Sequence, residues 1–200
     1  MEYQILLIRH GMTKGNEEGR YIGRTDESLS PKGRDVLLKN KVQIYDSYVN
    51  GKDYLLFSSP MKRCLESCEI LFEGQNIEVI DDFKEIDFGL FENKNYEELN
   101  GRDDYQEFID SNGESDFPNG EKQSDFKNRV LKGFSEVLKN MSSKNSGFAV
   151  IVCHGGTIMT ILESLTGKNY FSFQIKNGFG YKLGFKIEGD VISEVSYCCV

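Results

Sequence analysis

Ile5-Leu6-Leu7-Ile8-Arg9-His10-Gly11 and Val150-Ile151-Val152-Cys153-His154-Gly155-Gly156 follow one plan: an unbroken aliphatic run, then histidine, then glycine. A continuous apolar run, rather than an alternating one, marks a strand covered on both faces of a parallel sheet. The chain has only these two histidines. In open α/β sheets ligands bind beyond the carboxyl ends of the strands, so imidazoles delivered there by two strands converge on one site. The glycines bring backbone close to a ligand, and helix-starting amides after the second run are suited to an anion; the plainer reading of each is a tight turn.

Working outward, residues 54–57 and 77–80 read as two more strands. Residues 180–187 and 191–200 read as a late pair turning at Glu188-Gly189-Asp190, a hairpin at a sheet edge. Helical stretches fall at 31–49, 60–72, 96–109, 124–140 and 157–165, with Ser30-Pro31 and Ser59-Pro60 as cap and first-turn pairs. Strand and helix alternate. This predicts an α/β fold, a three-layer sandwich whose mostly parallel central sheet is flanked by helices through right-handed crossovers. Residues 82–120 break the rhythm, being polar, acidic and rich in Asn and Gly, and read as a lid-like insertion over one sheet end.

A chain of 200 residues fits one domain, 1–200, with a core large enough to need neither disulfides nor structural metal. No apolar run approaches the roughly 18 residues that cross a bilayer, and Met1 leads directly into the first strand without an export signal. Cys64, Cys68, Cys153, Cys198 and Cys199 are odd in number and unevenly spaced, which suits reduced thiols and a cytoplasmic location. The net charge of -8 is local: residues 81–125 hold fifteen Asp or Glu against four Lys or Arg. Without a basic stripe, nucleic acid is not an expected partner, and neither is a membrane.

Histidines beside Cys153 raise the question of a metal. No spaced Cys/His set supplies further ligands, and Cys153 should face away from His154 across the strand. The neighbours are cationic instead. Arg9 precedes the first histidine, and Arg63 opens the helix after Ser58-Ser59-Pro60. Guanidinium repels cations and clasps phosphate, so two arginines with two imidazoles predict an anion pocket, and neither a metal nor another cofactor is expected. Each arginine alone would pass for a solvated surface residue.

Ile8-Arg9-His10-Gly11-Met12-Thr13-Lys14-Gly15-Asn16 resembles the RHGxTxxN signature of the histidine phosphatase superfamily, the phosphoglycerate mutase-like fold. Further blocks resemble the family in family order across the chain: Gly19 to Asp26, Leu29-Ser30-Pro31-Lys32-Gly33, Ser58 to Arg63, Glu85-Ile86-Asp87-Phe88-Gly89, Pro118-Asn119-Gly120-Glu121 and His154-Gly155-Gly156.

The resemblance implies His10 as the nucleophile on phosphorus, neutral, with one ring nitrogen unprotonated. It places Arg9, Arg63 and His154 around the transferring phosphoryl group, with Asn16 and the Gly155 amide as neutral donors. It assigns Glu85 as the general acid and then base; without it Glu85 is one acid among many in its segment. Thr13 and Tyr21 could lend hydroxyls to the rim or simply cap and pack. Arg20 and Arg24 could meet a second anionic group or stay solvated, and Arg20 matches the family position better.

One departure is Met159, where many relatives carry arginine. The block Glu85 to Glu92 is most similar to α-ribazole phosphatases and broad-specificity phosphatases rather than to mutases. The expected activity is metal-independent hydrolysis of a small phosphomonoester, such as α-ribazole phosphate, through a phosphohistidine. Mutase-type transfer and a non-catalytic phosphate-binding module are the alternatives. Pairing of the late edge strands into a homodimer is left open.

Overall fold

The computed structural model describes residues 2–189 and 191–200. Its strands are β1 (Glu2–Arg9), β2 (Leu55–Ser58), β3 (Ile77–Val79), β4 (Phe148–Cys153), β5 (Gly180–Glu188) and β6 (Val191–Cys199). They form one mixed sheet in the order β3-β2-β4-β1-β5-β6. The first four are parallel to their neighbours among themselves, and β5 and β6 are added antiparallel.

The two apolar runs are buried on both faces, as their pattern requires. Ile5, Leu7, Ile151 and Cys153 enter one core with the helices Gln123–Ser143 and Gly155–Thr166. Leu6, Ile8, Val150 and Val152 enter the other, under the helices Pro31–Asn40 and Lys62–Leu71. Three layers result, with two cores separated by the sheet.

Register sets the position of the site. β1 and β4 pair in parallel from Gln4 opposite Phe148 to Arg9 opposite Cys153, and the His10 amide donates to the Cys153 carbonyl at 3.0 Å. The strands therefore end level, and His10 and His154 leave the sheet side by side.

Ser30 caps its helix as expected, its hydroxyl accepting from the Gly33 amide at 3.0 Å with Pro31 in the first turn. The run continues past Asn40 through a wide turn, Lys41–Tyr45, into Asp46–Val49. Three expectations need correction. The helix assigned to Ser59-Pro60 starts at Lys62, because the Ser59 hydroxyl is engaged by His154. The helix at 96–109 is two, Tyr96–Leu99 and Asp103–Asp110, divided where Gly101 takes φ +83°, a conformation that ends helices. The helix expected from Thr157 begins at Gly155, directly on His154, and closes at Gly167. The late hairpin lies at the sheet edge; Asp190 of its turn is outside the described residues.

The acidic segment 82–120 has an aromatic interior that its composition hid. Phe88 and Phe117 meet edge to face at 4.9 Å between centroids, Phe91 and Tyr105 at 5.4 Å, and Tyr21 joins from the loop after β1. Most of its acids face water, Glu85 being buried, while Phe83, Phe91 and Phe117 pack inward. All five cysteines are free thiols, and Cys64, Cys68 and Cys153 are core packing. Among the described residues no helix is long and apolar enough to cross a membrane.

Candidate active site

His10 follows the last residue of β1 and is nearly buried. Its Nδ1 lies 2.7 Å from the Gly11 carbonyl, and a carbonyl can only accept, so Nδ1 carries the proton and Nε2 keeps its lone pair. Burial, reinforced by the charges of Arg63 and Arg9, holds the imidazole well below its ordinary value and therefore neutral at neutral pH.

His154 caps the next helix, its ring 5.1 Å from that of His10. Arg63 Nη2 is 3.3 Å from His154 Nδ1; guanidinium has nothing to accept with, so Nδ1 accepts and Nε2 carries the proton. That Nε2–H donates to Ser59 Oγ at 2.8 Å, with Cys64 Sγ close by at 3.6 Å. This imidazole too is held well below its ordinary value, by burial and then by Arg63 and its neighbours. Two ring nitrogens thus have assigned protons from donor and acceptor rules alone.

Among the described residues neither arginine forms an ion pair with an acid. Arg63 is fully buried and gives its hydrogen bonds to neutral carbonyls, Thr25 at 2.8 Å and Gly23 at 2.8 Å. Arg9 donates to the Ile175 carbonyl at 2.7 Å. The Nε of each is buried with no partner among the described residues. Ions taken out of water carry a desolvation penalty of several kcal/mol unless an opposite charge meets them. Glu85 is the one carboxylate that attracts Arg9, without bonding to it. Two guanidiniums against one carboxylate leave the cluster short of negative charge.

Glu85 is buried, its Oε1 accepting from the Ile86 amide at 3.0 Å and its Oε2 from the Gly156 amide at 3.2 Å. Burial raises it above the usual carboxylate range, against the pull of those amides and of Arg63 and Arg9. Only glycine fits at 156, since a Cβ there would stand 2.5 Å from Glu85 Oε1. Arg129 holds this loop by donating to the carbonyls of Asp82, Lys84 and Glu85 while clasping Glu121 in a bidentate pair at 2.6 and 2.7 Å.

The remaining sequence candidates divide. The Thr13 hydroxyl accepts from the Asn16 amide at 3.3 Å, capping the turn Lys14–Glu17, while Asn16 Oδ1 accepts from the Thr13 amide and from Asn177 Nδ2, each at 3.2 Å. Tyr21 packs among the aromatic rings and lines the central cavity, as does Gly155. Arg20 lies elsewhere, bound to Glu18 at 2.7 Å and Glu98 at 2.6 Å on the surface, and the structure does not bring it to the cluster. Arg24 lies 3.6 Å from Glu121.

Ser59, Ser67, Arg129 and Asn177 escaped the sequence reading. Ser67 accepts from the Gly11 amide at 3.0 Å, and Asn177 donates to the His10 carbonyl at 3.2 Å. Their side chains position the reactive ones without resembling them. The Asn177-Gly178 pair was the available signal, because its turn returns the Gly178 amide to the Arg9 carbonyl at 3.0 Å.

A cavity of about 1040 Å³ opens over the cluster, with Arg9, Glu85, Gly155 and Gly156 in its lining. Among the described residues no group of three or more His, Cys, Asp or Glu is placed to hold a metal ion. A model of the histidine phosphatase superfamily (branch 1) matches residues 5–196. The chain belongs to the histidine phosphatase superfamily.

Its relatives in that superfamily differ in chemistry. Phosphoserine phosphatase 1 of Hydrogenobacter thermophilus is 25% identical over 98% of this chain and 93% of its own. The α-ribazole phosphatase structure from Shigella flexneri superposes with a TM-score of 0.76 at 20% identity, covering 95% of this chain and 93% of that one. The phosphoglycerate mutase structure from Thermus thermophilus reaches 0.68 at 28% identity, over 90% and 92%. Structures that carry phosphatase and mutase names thus share the fold of this chain.

Proposed function

We propose that the protein is a metal-independent phosphatase that hydrolyses a phosphomonoester through a phosphohistidine on His10. The observation that carries this reading is a neutral imidazole with a free Nε2 lone pair, set beside the buried guanidinium of Arg63 and the half-buried one of Arg9, neither ion-paired to an acid among the described residues. A phosphate group supplies the missing negative charge.

The Nε2 lone pair of His10 attacks phosphorus as the P–O bond to the alcohol breaks. The departing alkoxide takes the proton of Glu85, whose buried carboxyl is held in the protonated form further up the pH scale than an exposed one. Arg9 and Arg63 offset the charge on the equatorial oxygens, with the His154 side and the first amides of its helix completing the cradle. Water then attacks phosphorus, Glu85 takes its proton, and the P–N bond electrons return to Nε2, releasing orthophosphate.

A second reading, transfer to another substrate hydroxyl, uses the same phosphohistidine and is favoured by the mutase likeness. The likeness to the α-ribazole phosphatase carries the fold, so α-ribazole phosphate enters as one ester of a panel. The test is hydrolysis of p-nitrophenyl phosphate in EDTA. Wild type should turn over and be inhibited by vanadate, while His10→Ala should lose at least about 10⁴-fold in rate. An inert wild type, or an unimpaired His10→Ala, would leave a phosphate-binding module; transfer to added 3-phosphoglycerate in preference to water would make it a mutase.

A further inference from the structure

The cavity above the anion cluster is far larger and more apolar than a phosphate needs. At about 1040 Å³ it lies at the top of the roughly 300–1,000 Å³ range of sites that enclose drug-sized ligands. Phe88, Phe108, Ile109 and Phe117 line it from the segment 81–120, and Met159 and Phe171 line it from the other side. Met159 puts a thioether where the family resemblance implies a guanidinium.

Two of these side chains are left in water. Ile109 is 48% exposed and Phe171 39% exposed, although both stand on the cavity wall. The walls nearly touch at the tip of the segment, where a Cβ on Gly113 would be 3.2 Å from Phe171 and 3.5 Å from Phe108. An apolar group seated between them would remove that surface from water.

Beyond Arg9 and Glu85, the charged side chains of the lining are Lys127 and Lys176. Lys127 is neutralised by Glu163 at 2.6 Å and lies over the Tyr170 ring at 4.7 Å. Lys176 is available to a carboxylate, but a small zwitterionic ester such as phosphoserine would still set its ammonium against mostly apolar walls and fill little of the space.

We infer that the phosphomonoester taken by this site carries a bulky, uncharged aromatic or aliphatic group on its alcohol. This rests on the hydrolase reading above and narrows it: the arginine cluster selects phosphate, and the aromatic walls select what is attached to it.

The test compares esters of alcohols with similar acidity, so that leaving-group chemistry is held nearly constant: 2-(1-naphthyl)ethyl phosphate, ethyl phosphate and phosphoserine, in EDTA. Wild type should show kcat/KM at least about 30-fold higher for the naphthylethyl ester than for either other, a discrimination within reach of a hydrophobic pocket. Phe171→Ala and Ile109→Ser, both at partly exposed positions that tolerate change, should each shrink that ratio severalfold. Equal rates, or a preference for phosphoserine, overturn the inference and leave the phosphatase reading standing. If wild type hydrolyses none of the three, p-nitrophenyl phosphate decides whether the phosphatase reading stands, and calorimetric titration decides the inference by itself: tighter binding of the naphthylethyl ester than of ethyl phosphate sustains it, and equal binding ends it.

Discussion

The ends of β1 and β4 and the segment 81–120 enclose the same cavity, yet each takes its shape from a different source. At the strand ends a hydrogen-bond ladder fixes where His10 and His154 emerge, and both imidazoles and the Glu85 carboxylate are buried and held by named partners. The segment has no ladder; short helices and turns are gathered around Phe88, Phe91, Phe108 and Phe117, with an acidic exterior. Backbone geometry places the charge-handling groups, and side-chain packing shapes the space beside them. On the proposed function, reaction and substrate preference can then vary independently within one molecule, because different forces hold the two regions.

The sharpest way to break this contrast is Arg63→Met. Removing a preorganised cation from the strand-end cluster should lower kcat/KM for every ester by about 10²–10³-fold. Orthophosphate should raise the thermal midpoint of the wild type through linkage and fail to raise that of the variant. A variant still stabilised by orthophosphate would show that the cluster is not the anion site.

Ser59→Ala should act more gently. It leaves the His154 Nε2–H without its acceptor, a loss of about 1–3 kcal/mol and so roughly tenfold or more in kcat. Ser59→Thr should restore the rate, and the preference between naphthylethyl and ethyl phosphate should stay the same in both. A shifted preference would mean that the two regions are coupled.

The smallest effect expected is on stability against pH. His10 and His154 are both held well below the ordinary imidazole value, so the unfolded chain binds protons that the folded one refuses. Their contribution is complete above the unfolded value of about 6.5 and drains away as pH falls below it. Glu85, raised by burial, has the opposite sign: its contribution is full at low pH and is lost as pH rises through its folded value. With two imidazoles against one carboxyl, the thermal midpoint should fall between pH 7.5 and 5.5, and fall less in His154→Asn. An equal fall in that variant would remove His154 from the account.

What the sequence disclosed follows the same division. Both histidine strands and their convergence were legible in 5–11 and 150–156, because a doubly buried strand has no polar face to confuse its pattern. Arg63 was legible as a candidate for the anion pocket, and the structure sets it against His154, but Ser59 passed for a helix cap; a serine hydroxyl is equally fit for either partner. Arg20 was selected for its place in a motif, and local acids, Glu18 and Glu98, hold it at the surface. The aromatic interior of 81–120 was hidden because its rings recur with neither the period of a helix nor that of a strand, among charges that dominate composition. For the long-range fastener Asn177 on His10, the Asn-Gly pair marks a turn, but nothing local says which strand end that turn meets.

The place of β1 in the sheet also bears on how the chain acquires its fold. β1 is synthesised well before its two ladder partners, β4 (Phe148–Cys153) and β5 (Gly180–Glu188). Until residue 188 has emerged, Ile5-Leu6-Leu7-Ile8 has at least one unpaired edge, and before residue 148 it has two. The strand that leads into His10 is therefore the longest to wait for its neighbours during synthesis. Chains interrupted before β5 present an open, wholly apolar edge, the kind of surface on which aggregation begins and chaperones act.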